Sequence, residues 1–139
     1  MATRDRRSAS VEPLRLRRAA KGLVRRGEAV LVVKERHADG TPFWTLPGGG
    51  CHPGESLPVA LNREFQEELR CPILVGDRID DFEYCHRSTP ETVSHYTVYA
   101  GSVLSSPEPN PDDGILACAW RRPDDFPSAT LPEVRDLFG

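Results

Sequence analysis

The segment Gly48–Cys71, GGGCHPGESLPVALNREFQEELRC, constrains this chain more than any other. Three glycines lead into a stretch that marks its own helical limits. Ser56 is a good N-cap, and Pro58 falls in the first turn, where a missing N–H costs little. Pro72 excludes helix just beyond Leu69. At about 100° per residue, Leu61, Phe65 and Leu69 share a stripe with Pro58, so the helix must lay one face on a core. The rest of the chain supplies that core, mostly as strands. LRLRRAAKGLV, from Leu14, starts in alternation; RRGE (Arg25–Glu28) is a turn; AVLVVKER (Ala29–Arg36) is the clearest buried strand. HADGTP is a loop punctuated by Asp39-Gly40, and FWTL is a short strand running into Pro47 and the glycines. ILVG, DDFEYCHR, ETVSHYTVYAGSVL and ILACAWRR read as further strands separated by turns or by the loop SSPEPNPDDG. PDDFP reads as one short helical turn and LPEVRDLF as a last amphipathic helix. The expectation is a mixed sheet with two substantial helices, an α/β layered domain over residues 13–139, preceded by a disordered basic tail at 1–12.

Size and charge narrow the function. A chain of 139 residues suits one domain with one core. No apolar run approaches the length needed to span a bilayer, and the basic start of the chain has no apolar stretch after it, as a secretory signal would. Asp5 and Glu12 argue against a transit peptide. The expected setting is the cytoplasm, with no membrane partner. Cys51, Cys71, Cys85 and Cys118 make no CxxC pair and read as free thiols, not a zinc site. Residues 1–26 carry nine Arg or Lys against two acids, so the rest of a chain with net charge -3 is strongly acidic. The arginines are not interleaved with aromatics, which favours a solvated tail over a stable nucleic-acid partner.

The acidic charge is concentrated on the helix. Glu64, Glu67 and Glu68 stand at i, i+3 and i+4, a patch of three carboxylates beside the apolar stripe. Like charges so spaced cost a few tenths of a kcal/mol on an exposed helix, and more at the edge of a core. A divalent cation offsets that cost, and oxygen-only donors select Mg²⁺ or Mn²⁺ over zinc or copper. Taken alone, such a patch is ordinarily a solvated acidic face. Three neighbours point the other way. Arg63 sits within the cluster, with Glu55 eight residues earlier to pair with it and fix the loop on the helix. The glycines Gly48, Gly49 and Gly50 let backbone approach a ligand closely, and a carbonyl there can join a metal shell. The loop also runs straight into a helix N-terminus, as anion-binding loops often do.

These residues resemble a known family. Gly49, Glu55, Arg63-Glu64, Phe65 and Glu67-Glu68 fall at the spacing of the Nudix box, which here spans 23 residues, Gly49–Cys71. The departures are Arg70, where the family has a glycine, and Cys71, where it has an aliphatic residue. That glycine normally ends the helix in the left-handed conformation; Arg70 would take it at a cost of about 1 kcal/mol, or the helix ends differently. Outside the box, AKGLVRRGEAVLVVKE, FWTLPGGG and ILACAWRRPDDFP are similar to the family's first strands, its approach to the box, and its closing strand and turn.

The resemblance implies the Nudix fold, an α/β/α sandwich around a mixed β-sheet. It implies hydrolysis of a diphosphate linkage in a small-molecule substrate, usually a nucleoside diphosphate bonded to a second group: nucleotide sugar, ADP-ribose or nucleoside triphosphate. Carried over by position, Glu64, Glu67 and Glu68 bind Mg²⁺ or Mn²⁺ with the Gly48 carbonyl, and Arg63 and Glu55 are the orienting pair. Glu64 or Glu67 is the expected general base. Asp112 and Asp113, then Glu83 and Glu91, are the loop alternatives, each as readily an ordinary surface acid. For substrate binding, Trp44, Gly49 and Gly50 are the candidates, with Phe43, Tyr96 or Tyr99 as other stacking surfaces. Arg15, Arg17 and Lys21 either meet phosphates or form a solvated strand face. Two rivals stand beside hydrolysis. A catalytically inactive nucleotide-binding regulator of this fold would usually lose box carboxylates, and none is lost here. An isopentenyl diphosphate isomerase would want a cysteine such as Cys51 at the site, but the chain is short for it. Pairing of two copies into a homodimer is compatible with the sequence.

Overall fold

The computed structural model describes residues 15–86 and 91–139. The tail expected over 1–12, and the strand positions Leu14 and Arg87, lie outside the described residues. In chain order the elements are β1 (Arg15–Arg26), β2 (Ala29–Arg36), β3 (Pro42–Thr45), β4 (Gly48–Gly50), α1 (Leu57–Leu69), β5 (Ile73–Cys85), β6 (Thr92–Val103), β7 (Ala117–Arg121) and α2 (Pro132–Asp136). Short 3-10 turns stand at Pro111–Asp113 and Pro123–Asp125.

The strands form one seven-stranded sheet in the order β3-β2-β1-β6-β5, with β4 paired to β1 and β7 to β2. It is mixed: β1 runs parallel to β6, while the other pairings are antiparallel. The hairpin β1–β2 is paired only at its turn, Arg25 with Val30 and Arg26 with Ala29. Further back along β1, the edge is taken by β4, which sets Lys21, Ala20 and Ala19 opposite Gly48, Gly49 and Gly50.

Alternation along β2 shows why the sheet needs cover on both sides. Leu31 and Val33 face a core with Leu61, Phe65 and Leu69 of α1, together with Ala20, Val24, Ile73 and Ile115. Val30 and Val32 face a second core with Leu23, Leu46, Val98, Phe126 and Val134 of α2. Leu61, Phe65 and Leu69 have no exposed surface, and burying each side chain contributes about 2 kcal/mol. Helix, sheet and helix form the α/β/α layers, with α1 pressed on the face that carries the glycine strand.

Three elements differ from the sequence expectation. The glycines, read as a loop, form β4, because their backbone pairs with β1 even without side chains to favour a strand. ILVG and DDFEYCHR, read as two strands, merge into the 13-residue β5. The turn signal at Gly76-Asp77 is absorbed as register shifts between Val75 and Asp80, as bulges commonly do. The last helix is only five residues long, because Leu137 and Phe138 leave it to pack on the second core.

Candidate active site

Helix α1 begins as its sequence dictates. Ser56 Oγ accepts from Val59 N at 3.3 Å, and Pro58 occupies the first turn. The helix ends at Arg70, whose backbone is left-handed at φ 52°, ψ 30°. About two helical turns earlier, Arg63 reaches over the loop, and each of its five N–H groups has an acceptor. Nε and Nη2 grip Glu55 at 2.7 and 3.0 Å. Nη2 also donates to the Gly50 carbonyl at 2.8 Å. Nη1 donates to Glu64 Oε2 at 3.0 Å and Glu67 Oε1 at 2.9 Å. Glu55 in turn accepts from His52 N at 2.8 Å. The Arg63 fork, and after it the His52 amide, bring the Glu55 carboxyl down to about 2. One guanidinium thus ties the loop, the glycine strand and two helix carboxylates together.

The glycine strand permits this closeness. A Cβ on Gly49 would lie 2.6 Å from the carboxyl carbon of Glu64. Gly48 has φ +138°, and a Cβ there would collide with the carbonyl oxygen of Ala20 across the strand pair. Across Gly50 lies the guanidinium of Arg17, 2.6–2.9 Å from where a Cβ would stand.

Glu64, Glu67 and Asp113 each bring a carboxylate oxygen within 4.8 Å of the others. Asp113 arrives from the 3-10 turn after Asn110, a residue bonded to the end of α1: Asn110 N donates to Glu68 O at 2.9 Å and Nδ2 to Glu67 O at 2.8 Å. Burial raises the Glu64 carboxyl, with Arg63 opposing. Asp113 is raised by burial and then by Glu67. Three converging oxygen donors suit a hard divalent cation and not a thiolate- or imidazole-seeking one.

Glu68 sits deeper, 6% exposed, and its Oε1 accepts from Gly48 N at 3.0 Å. Burial raises its carboxyl well above the ordinary value, with Lys21 opposing and Glu35 adding to the rise. Burial also raises Glu35, again against Lys21. Burial disfavours the Lys21 ammonium itself, but Tyr96, Glu35, Glu68 and Glu64 outweigh it, and its pKa is raised. Lys21 Nζ donates to the Gly48 carbonyl at 3.4 Å and stands 4.7 Å from the Tyr96 ring centre. A protein cation therefore already faces the carbonyl that the resemblance offers to a metal.

Beside the carboxylates opens a cleft of about 380 Å³. Arg17, Lys21 and Arg36 bring positive charge to it, and Phe43, Tyr84 and Tyr96 bring rings. Phe43 is stacked on His37 at 4.1 Å. Arg17 Nη1 donates to Ser94 Oγ at 3.1 Å, and that oxygen lies 2.6 Å from His86 Nε2. Burial, then Arg17 and Lys21, lower the His86 pKa.

Several sequence candidates fall elsewhere. Trp44 packs against the second core, and Phe43, which alternation turns to the opposite face, lines the cleft instead. Tyr99 packs on the first core. Arg15, Asp112, Glu83 and Glu91 are exposed and do not line the cleft; Glu83 faces His95 at 3.4 Å. Cys51 Sγ donates to the Glu55 carbonyl at 3.1 Å, within the loop. Sequence reasoning missed Glu35, Arg36, His86, Ser94 and Asn110. Alternation put Glu35 on the face of Val33, but its burial depends on Lys21 and Glu68 from other elements. No local pattern marks the rest.

Comparisons with known proteins give the family and the fold. The family model of the NUDIX domain matches residues 15–138. A nucleoside triphosphatase, NudI, of Salmonella arizonae is 30% identical over 92 residues, which cover 60% of this chain. That alignment spans 64% of the relative's own length. A MutT NUDIX hydrolase from Burkholderia pseudomallei superposes with a TM-score of 0.78 at 22% identity, covering 88% of this chain and 95% of that one. The MutT protein from Methanosarcina mazei Go1 gives 0.78 at 20% identity, with 93% and 94% covered. An ADP-ribose pyrophosphatase from Streptococcus suis gives 0.64 at 21%, with 86% and 82% covered. At such identities these three likenesses speak to the fold.

Proposed function

The chain belongs to the Nudix family, and from that premise we propose that it hydrolyses the diphosphate linkage of a nucleoside diphosphate bonded to a second group, using Mg²⁺ or Mn²⁺. The observation that carries the proposal is the convergence of Glu64, Glu67 and Asp113 within 4.8 Å, beside a cleft lined with cations and rings. An acidic face serving only solubility has no reason to draw in a third carboxylate from a distant loop.

The donor set fits a hard ion. Glu64, Glu67 and Asp113 would hold it, with Glu68 beneath them. When bound, the ion would neutralise the diphosphate and acidify a water. Arg63 holds one oxygen each of Glu64 and Glu67, so the two carboxylates are oriented before any ligand arrives. Glu64 is the better general base of the two: burial lifts its carboxyl toward the working pH, whereas the Glu67 side chain is 43% exposed. Arg17 and Arg36 would meet the phosphates, and Phe43 with Tyr96 would take the planar base. Gly49 lines the cleft and leaves room for Glu64.

The substrate proposed is a dissolved cytoplasmic nucleotide, and no helix among the described residues is long and apolar enough to cross a membrane. The relative described as a nucleoside triphosphatase makes nucleoside triphosphates the first class to test, followed by ADP-ribose and nucleotide sugars. The experiment is a phosphate- and pyrophosphate-release screen over these classes in Mg²⁺, Mn²⁺ or EDTA. Cleavage at the diphosphate bond, abolished by EDTA, is expected. Tight nucleotide binding without turnover under any metal would instead identify a regulator.

A further inference from the structure

We propose that Asn110 and Arg70 are positioning residues for Asp113, an inference that rests on reading Glu64, Glu67 and Asp113 as the ligand set of the divalent ion. A helix C-terminus leaves its last carbonyls without intrahelical partners. At the end of α1 the segment before the 3-10 turn takes them up. Glu108 N donates to Leu69 O at 2.8 Å, and Asn110 N to Glu68 O at 2.9 Å. Asn110 Nδ2 donates to Glu67 O at 2.8 Å.

Asn110 then faces the other way. Its carbonyl accepts from Asp113 N at 3.0 Å and Ile115 N at 3.1 Å, and its Oδ1 accepts from Asp112 N at 3.2 Å. All four of its polar groups are in use. Two of them hold the backbone of Glu67 and Glu68, and the other two hold the turn that carries Asp113. The turn that carries the loop carboxylate is therefore built on the same two helix residues whose side chains stand in the site, and it cannot move away from the helix without breaking those bonds.

Arg70 completes the clamp. Its left-handed backbone suits glycine better, so a residue with a side chain there is a net cost unless the side chain acts. It does: Nη2 donates to Asn110 Oδ1 at 3.0 Å. With Asp112 N and Arg70 both donating to Oδ1, the Asn110 amide is fixed in the orientation that points Nδ2 at Glu67 O. The departure from the family's glycine thus has a function at Asp113, one residue removed.

The test is a Mn²⁺ titration of the full chain, followed by electron paramagnetic resonance of the free ion, with the melting temperature measured separately in EDTA. Asp113→Asn and Asn110→Ala should each weaken Mn²⁺ binding about tenfold or more. Their double variant should bind no more weakly than Asp113→Asn alone, because Asn110 acts through Asp113. Arg70→Gly should weaken Mn²⁺ about threefold, as an exposed contact would, while the melting temperature in EDTA holds or rises. A merely structural Arg70 would give the opposite pair: a lower melting temperature and unchanged affinity. If Asn110→Ala does not fold, Arg70→Gly and Asp113→Asn complete the same cycle. Losses that add, or unchanged affinity in Asn110→Ala and Arg70→Gly beside a weakened Asp113→Asn, would overturn the positioning role. Unchanged affinity in Asp113→Asn would remove the ligand reading and the positioning role with it.

Discussion

Arg63 and Glu68 show two ways in which this protein holds charge. Arg63 meets three carboxylates and a carbonyl at the rim of the site, where all of its donors are satisfied. The Glu55 carboxyl, held near 2 by that contact, has a folded-state pKa below its ordinary value of 4.5. The stabilisation is therefore fully present above 4.5 and is lost as pH falls from there toward about 2. Glu55→Gln should be less stable than the parent at neutral pH, and the gap should close through that acid window in a urea titration repeated at each pH. Glu68 is the reverse case. Burial raises its carboxyl, so the folded state binds the proton more tightly than the unfolded chain, and stability declines as pH rises above the unfolded value. Glu68→Gln should therefore keep or raise the melting temperature of the metal-free protein at pH 7. Its metal-dependent turnover should fall by about 100-fold or more. Parental rates in that variant would remove Glu68 from the site. Glu68 is legible from the box spacing, but its partners Lys21 and Glu35 come from β1 and β2, and only the fold joins them.

At the scale of elements, α1 and β4 make the site between them. The limits of α1 are readable because Ser56, Pro58 and the apolar stripe agree, and because Pro72 follows directly. Strand β4 is not readable as a strand: glycine has little strand propensity, and the pairing depends on where β1 leaves its hairpin with β2. The glycines separate fold from function. Gly49→Ala drives a methyl into the carboxylate of Glu64, the mobile end of a side chain. The protein should fold while Mn²⁺ affinity drops. Gly48→Ala meets backbone at a positive φ, and the cost should be about 3 kcal/mol of stability. Chemical denaturation and metal titration of the two variants check this directly; equal effects on stability would contradict it. Asn110 was illegible for a similar reason to β4: its Asn-Pro context reads as a turn, and its hold on the end of α1 is a tertiary fact.

At the scale of the whole molecule, the sheet divides two cores and sets the site where α1, β4 and the loop before β7 meet. The layered class follows from AVLVVKER, whose residues Val30 to Val33 are all fully buried on alternate faces. The acidic helix face was visible as a charge pattern. The cleft beside it was not, because Arg17, Phe43, Tyr84 and Tyr96 sit on four strands, β1, β3, β5 and β6, and share no sequence spacing. A cleft of that kind belongs to topology, not to any segment. The account stands on a divalent ion held between helix and loop, in contact with a diphosphate. Crystals grown with Mn²⁺ and a non-hydrolysable nucleoside imidodiphosphate, measured near the manganese absorption edge, test that claim most directly. An anomalous peak among the carboxylates of Glu64, Glu67 and Asp113, touching the ligand's phosphate oxygens, is predicted. A bound ligand with no peak there, or with those carboxylates turned out to solvent, would contradict it.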